Sequence, residues 1–478
     1  VSRFWILLSI LLTACSLSAP REREAMPFAI PDNWTANGQV SDARALETWL
    51  KSFRDPKLAA VVHEAIAHNF DLQATAARLK LARAQARIAG APLLPEISAR
   101  TDAQRGASSA SGARITGPTL LGPGAGNGGD TFNNFDLLLE ASWEIDIWGR
   151  LRAARDAARQ DTSVAAADLA GARLSLAART AQSWFDVIEA RMQADLAKTQ
   201  LARRRQVVDL VRGRFQRGIG SGLELRLALT ESAFDESRVA ERENQLTQAR
   251  RRLEALLGRY PSGQINGVQD LPPLPGAMPT GLPSQLLGRR PDLIAALTRL
   301  RAADLRVRAA ELDRLPRLTL NGTVGTNSDT IARLADPAFL IWNIAGGLVQ
   351  PVFTGGRLTQ QIKLNQARAE EELARYRDTA IVAFREVEDA LTAERRLSEQ
   401  ERSLAEAAQQ AEASVELAQY SYRNGLVDIL FLLQSLQSRL DTRSQHLAVR
   451  RQLLNNRIDL FLALGGDFDD KRTPLAQR

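Results

Sequence analysis

Histidines and clustered glycines are where a sequence such as this would first be searched for chemistry. His63-Glu64-Ala65-Ile66-Ala67-His68 has the ingredients of a helix-borne zinc hydrolase: two imidazole ligands and a carboxylate base. That chemistry needs histidines four apart, sharing one helix face, and these are five apart and diverge. Gly124-Ala125-Gly126-Asn127-Gly128-Gly129 satisfies the GxGxxG spacing of a dinucleotide loop. The fingerprint must follow a strand and open a helix, whereas this run lies in a glycine-rich loop leading into a strand. His446 is the only other histidine, so no metal cluster or histidine-based triad can be assembled. The expectation is a protein with no enzymatic activity, no metal and no cofactor.

Cys15 is the one cysteine in the chain, which excludes an internal disulfide. Before it, VSRFWILLSILLTA carries one positive charge and a short apolar run, a signal-peptide pattern too short to span a bilayer. Leu12-Thr13-Ala14-Cys15 matches the bacterial lipoprotein box, so residues 1–14 are expected to be a cleaved signal and Cys15 to carry a covalent lipid. Ser16 follows it, with no aspartate to favour inner-membrane retention. Several acyl chains on one residue anchor firmly where one anchors weakly. The net charge of +7 is mostly arginine, spread along the chain in groups such as Arg203-Arg204-Arg205 and Arg450-Arg451. Nucleic-acid binding needs such groups gathered on one patch with aromatics among them, so no nucleic acid is expected.

The remaining candidates are acidic. From Phe135 to Ile147 the odd positions are apolar, while the even ones include Asp136, Glu140, Glu144 and Asp146. Period-2 alternation of this kind belongs to a strand with one greasy and one polar face. The elements that position it come from an internal repeat. Gly149-Arg150-Leu151 recurs as Gly356-Arg357-Leu358, an offset of 207 that also relates Gly218 to Gly425 and Leu257-Gly258 to Leu464-Gly465. Upstream the offset is 221, relating Asp71-Leu72 to Asp292-Leu293 and Pro95 to Pro316. The 14-residue difference falls in the Gly/Ser-rich run 106–130 of the first copy.

Each copy reads helix, strand, loop, strand, long helix, glycine tip, long helix. The expected organisation is an N-terminal anchor and extended segment, 15–56, followed by a first repeat, 57–258, with a hairpin at about 96–147 and a tip near 214–223. A Pro-rich linker, 259–290, leads to a second repeat, 291–466, with a hairpin at about 317–353 and a tip near 422–430, and a tail at 467–478. The first helix is expected over about 57–91, and a proline-free stretch at 150–213 is long enough for about 95 Å of helix. In 373–422 the apolar residues follow coiled-coil steps, interrupted by Glu394 and Glu401.

Four strands cannot close a barrel, and an open edge in lipid leaves unsatisfied backbone groups at several kcal/mol each. Transmembrane barrels begin at about eight strands. Membrane strands here therefore require several copies to pool them; the competing soluble reading is a hairpin capping a coiled coil.

SWEIDIWGRLRA (142–153), GLPSQLLGRRPDL (281–293), LVQPVFTGGRL (348–358) and YRNGLVDIL (422–430) together resemble the TolC-like outer-membrane efflux proteins. More narrowly they resemble the lipid-anchored, NodT-type branch serving resistance-nodulation-division (RND) pumps. The resemblance implies a mixed α and transmembrane β fold, a homotrimer whose twelve strands form one outer-membrane barrel continued by a periplasmic α-helical coiled-coil barrel. It implies a passive exit duct for drugs or other small molecules, working with a periplasmic adaptor and an inner-membrane RND transporter. Outer-membrane lipid surrounds the barrel in that picture, and Asp136, Glu140, Glu144 and Asp146 line its lumen. Tyr422 and Asp428 fall on positions resembling the periplasmic gate, with Phe431 where some relatives have a second aspartate. Gly218, Ile219, Ser221, Gly425 and Leu426 fall on the tips expected to meet the adaptor. The same fold serves type I protein secretion, which stays as the alternative; a coiled-coil lipoprotein without a pore is a third.

Overall fold

The computed structural model describes residues 49–107, 131–265, 270–276 and 283–466, with positions 26, 30, 31 and 34–36 before them. Cys15, the signal peptide, most of the Gly/Ser-rich loop and the 467–478 tail lie outside the described residues. The chain divides into two compact units, each taken here by itself.

The larger unit contains the described residues of Val1–Leu79, Ser163–Leu297 and Leu373–Arg478. After a single helical turn at Trp49–Ser52 comes α1 (Pro56–His68), where Asp55 caps the first turn by accepting from Lys57 N and Leu58 N. The same carboxylate accepts from Trp184 Nε1 at 2.9 Å. The single helix expected over 57–91 is two, because α2 (Phe70–Gly90) starts afresh after Asn69. Asn69 closes α1 through its N–H to Ala65 O and opens α2 by accepting from Leu72 N at 3.0 Å. Its amide also donates to Leu256 O at 3.0 Å, so a tertiary contact fixes the break.

The long helices are α3 (Arg150–Gln216) and α4 (Gly222–Leu256) in the first half, and α6 (Arg357–Arg423) and α7 (Ile429–Ala463) in the second. Both pairs measure 67 and 35 residues, and every boundary keeps the offset of 207. α5 (Pro291–Leu312) precedes the second pair of strands. Among the described residues two large apolar clusters fill this unit, beside a small one of Val164, Ala167 and Ala295. One gathers Trp49, Phe53, Trp184, Phe185, Leu253, Ile458 and Phe461, with Trp49 stacked on Phe461 at 5.7 Å between ring centres. The other gathers Val207, Val211, Ala228, Val415, Tyr422, Leu432 and Leu436.

Buried polar groups lie along the helices between these clusters. Arg204, wholly buried, pairs with Asp235 at 2.9 Å, and Arg439 donates to Glu412 at 2.6 Å. Gln200 joins them, donating to Leu436 O at 3.4 Å. The two glutamates that interrupt the coiled-coil steps are answered from α7, Glu394 by Arg457 and Asn456, and Glu401 by His446.

The smaller unit, Lys80–Thr162 with Thr298–Glu372, holds a four-stranded antiparallel sheet in the order β1-β2-β3-β4. The strands are β1 (Glu96–Ala107), β2 (Thr131–Ile145), β3 (Arg317–Ser328) and β4 (Leu340–Val349). Leu139 stands opposite Ala99 on one side and Val324 on the other, and Val324 opposite Trp342, so apolar positions align across all four strands.

Candidate functional site

Register separates the sheet into two chemically different faces. Ile97, Leu137, Leu139, Leu320, Val324, Leu340, Trp342, Ile344 and Leu348 share one face, and every one of them is exposed in the chain. On β4 the exposure reaches 72% for Trp342 and 71% for Ile344. Burying a side chain of this size is worth about 1.5–3 kcal/mol, so this face demands an apolar neighbour. Among the described residues, β1 and β4 each have a strand on one side only.

The opposite face carries Arg100, Asp102, Asp136, Glu140, Glu144, Thr319, Asn321 and Thr323. Asp136 accepts from Asn134 at 2.8 Å and from Asn327 at 2.5 Å. Glu144 binds Arg150 at 2.7 Å, and Arg150 also reaches Asp313 at 3.7 Å. The structure thus brings Asp136, Glu140 and Glu144 to one face.

Asp146 does not join them. β2 ends at Ile145, and Asp146 turns back to accept from Leu151 N at 3.1 Å and Arg152 N at 2.9 Å, capping α3. Its side chain is only 7% exposed. Burial alone would push its carboxyl up, but those N–H groups and the Arg152 guanidinium more than offset it and hold it below the ordinary value. The alternation continues two residues past the strand because a helix cap also selects aspartate; sequence period cannot tell the two apart.

The other candidate surface is the pair of helix tips, both in the larger unit. Gly218 and Gly425 have φ of 70° and 73°, the left-handed conformation that lets a helix stop and reverse. After each turn a polar side chain caps the next helix: Ser221 accepts from Glu224 N at 3.1 Å, and Asp428 from Leu430 N at 2.9 Å. The turns present Ile219 and Leu426, which are 60% and 70% exposed, beside exposed Leu223, Leu430 and Phe431.

Tyr422, by contrast, is buried. Arg214 stands 4.9 Å from its ring centre and donates to its carbonyl at 3.2 Å, while its hydroxyl lies 3.5 Å from Glu224 Oε2. Burial, and next the Glu224 charge, push its phenol up. One tyrosine thereby joins α3, α4 and α6. The sequence marked Tyr422 and Asp428 but not Arg214 or Glu224, whose part depends on the rotation of helices roughly two hundred residues away.

His63 and His68 are exposed, and Glu64 is occupied by Arg259 at 2.7 Å. Among the described residues there is no group of three or more His, Cys, Asp or Glu side chains able to hold a metal. No helix among them is long and apolar enough to cross a membrane.

A sheet with one greasy and one polar face, and paired helices of 67 and 35 residues, belong to the class of outer-membrane channels, as the solved structures that this chain resembles are described. The outer membrane efflux protein family model matches residues 61–259 and 282–466, and the chain belongs to that family. It is 33% identical over 474 residues to the pyoverdine export outer membrane protein OpmQ of Pseudomonas putida, covering 96% of both chains. It is 30% identical over 483 residues to outer membrane protein OprJ of Pseudomonas aeruginosa, covering 99% of this chain and 97% of that one. Among solved structures, the outer-membrane channel OprN superposes with a TM-score of 0.85 at 25% identity, covering 95% of this chain and all of that one. The open state of the Neisseria gonorrhoeae MtrE channel gives 0.80 at 25% identity, covering 96% and 100%. The protein is an outer-membrane efflux duct, a passive conduit and not an enzyme.

Proposed function

We propose that three copies assemble into one twelve-stranded barrel in the outer membrane, continued into the periplasm by a tapered barrel of paired helices. The observation that carries this is the four-stranded sheet with an exposed apolar face and two open edges. In lipid such edges must pair, because each unsatisfied backbone group costs several kcal/mol. Four strands per chain give twelve in a trimer, enough to enclose a water-filled lumen. Asp136, Glu140 and Glu144 face that lumen, and the wall opposite them meets lipid.

The chain is a duplication, 57–258 and 291–466 joined by the 259–290 linker, a reading supported by the matching 67- and 35-residue helices. Cys15 carries the lipid that anchors the N-terminus. The helix tips at Gly218-Ile219 and Gly425-Leu426, with Ser221 beside them, dock a periplasmic adaptor bound to an inner-membrane RND transporter. Tyr422 and Asp428 belong to the periplasmic gate. Relatives of comparable identity are named for pyoverdine, toluene and cations. This variety supports a duct for small cargo whose selectivity resides in the pump.

Purified protein in detergent should run as a trimer by native mass spectrometry and give discrete conductance steps in a planar bilayer. A monodisperse oligomer without channel activity would falsify the duct assembly. Radiolabelled palmitate should enter the wild type and not Cys15→Ala; equal labelling removes the anchor from the scheme.

A further inference from the structure

One carboxylate in the larger unit serves three guanidiniums. Glu412 on α6 accepts from Arg439 Nε at 2.6 Å, lies 2.9 Å from Arg203 Nη1 of α3, and is approached at 3.5 Å by Arg443, one turn beyond Arg439 on α7. Among the described residues, none of the three pairs with another carboxylate. Three positive charges against one negative leave two in surplus. Arg439, at 2% exposure, carries that surplus into the helix interface, where an uncompensated charge is costly. Burial first, and then the Arg203 and Arg443 charges, outweigh the bond to Glu412 and lower its guanidinium from the ordinary value.

The matching hairpin shows that joining two helices does not require this. At the offset of 207, Glu412 and Arg443 correspond to Arg205 and Glu236, which pair one to one at 2.9 Å with the signs exchanged. Arg439 corresponds to Ser232, which has no charge. A balanced pair joins α3 to α4. Between α6 and α7 the same place holds an extra arginine, and Arg203 is drawn across from α3.

The surplus borders a cavity. A space of about 800 Å³ among α3, α6 and α7 is lined by Glu412, Arg439 and Arg443 together with the apolar Met192, Leu196 and Leu447. Asp195, Asp270 and Glu416 also border it, but all three are exposed to water, whereas Arg439 is buried. His446, on the same helix as Arg443, is engaged by Glu401 at 2.9 Å. A cavity of this volume is in the range that takes drug-sized ligands. A phosphate monoester carries about two negative charges at neutral pH, and its oxygens form short, charge-assisted bonds with guanidinium groups.

We propose that this cavity binds a small organic phosphate, its oxygens on Arg439 and Arg443 and its apolar body against Met192, Leu196 and Leu447. The bound dianion neutralises the two charges that Glu412 leaves over, where a monocarboxylate neutralises only one. The site lies within one chain and stands whether or not the strands pool into a barrel.

The test is equilibrium dialysis of the full chain, in an uncharged detergent, against radiolabelled inorganic phosphate at an ionic strength held constant with chloride. One phosphate per chain should bind saturably. Phenyl phosphate should displace it at about tenfold lower concentration than unlabelled phosphate, because burying an aromatic ring adds at least that factor, and phenylacetate should displace it less well than either. Arg443→Gln changes an exposed side chain and should weaken phosphate about tenfold through loss of one charged hydrogen bond. Arg203→Gln, on the other helix of the cluster, repeats the test independently, and circular dichroism checks that each variant is folded. Arg205→Gln, in the balanced pair of the first hairpin, should leave phosphate binding unchanged. No saturable binding to the wild type below about 10 mM, or wild-type affinity in both Arg443→Gln and Arg203→Gln, overturns the site. Equal losses in Arg205→Gln and Arg443→Gln mean general attraction to surface charge and overturn it as well. Phenyl phosphate no better than inorganic phosphate rejects the organic ligand.

Discussion

The buried pair Arg204–Asp235 permits a sharp test of how the long helices are held. Arg204 on α3 is wholly buried and Asp235 on α4 is 2% exposed, with 2.9 Å between Nε and Oδ2. Asp235 also accepts from the partly exposed Arg238 at 2.9 Å, and Arg204 Nη2 lies 3.5 Å from Glu231. Asp235→Leu leaves the buried guanidinium with only the partly exposed Glu231 at 3.5 Å, and Arg204→Leu leaves the carboxylate with Arg238 alone. Breaking such a pair costs about 3–5 kcal/mol, whereas replacing both members by apolar residues is neutral or stabilising. At about 2.1 cal/mol/K per residue, unfolding a chain of this length has an entropy near 1 kcal/mol/K, so 4 kcal/mol corresponds to about 4 °C. Each single variant should lose helical circular dichroism at 222 nm about 3–5 °C below the wild type. The double variant Arg204→Leu/Asp235→Leu should melt above either single. Additive losses in the double variant would refute the reasoning, since they would mean that each side chain is stabilised independently of the other.

Other outcomes follow from single contacts. Gly258 and Gly425 share a left-handed φ of 71° and 73°, but a Cβ at 258 would meet His68 O at 2.6 Å, while at 425 it meets nothing within 4 Å. Gly425→Ala should therefore cost only the about 1–2 kcal/mol of the backbone conformation, and Gly258→Ala distinctly more, read as the difference between their melting temperatures. Asp146→Ala removes the α3 cap and should cost about 1 kcal/mol, with faster amide exchange confined to the first turn of that helix. Glu254, nearly buried, accepts from Gly263 N, Gln264 N, Ile265 N and Ser262 Oγ, binding the start of the linker to α4. Burial pushes its carboxyl up, but these donors outweigh burial and leave it below the ordinary value. Its contribution is therefore full above the unfolded value of about 4.3 and is lost as pH falls through the lower folded value. Glu254→Gln should lower the melting temperature at neutral pH and flatten its acid dependence; parallel curves for the two proteins would count against this.

Much of the architecture was legible because it depends on short-range pattern. The proline-free helices, the glycine tips and the apolar alternation of β2 each follow from neighbouring residues and the periods of helix and strand, and the offset of 207 from setting two such stretches side by side. Reading stopped where one residue type serves two purposes. Asp146 continues the strand's alternation and yet caps a helix, and Asn69 breaks a helix that the pattern alone runs through.

The sequence by itself pointed to two copies of one unit, and it determined four amphipathic strands and hairpins of very long helices. Only the tertiary structure decided which buried charges meet, that Tyr422 is shared by Arg214 and Glu224, and that the second strand junction lies at an open edge while the first is enclosed. The reason is geometric. Periodicity sets the face on which a side chain lies, but its partner depends on the rotation and register of an element far away in the chain, and no local pattern encodes that.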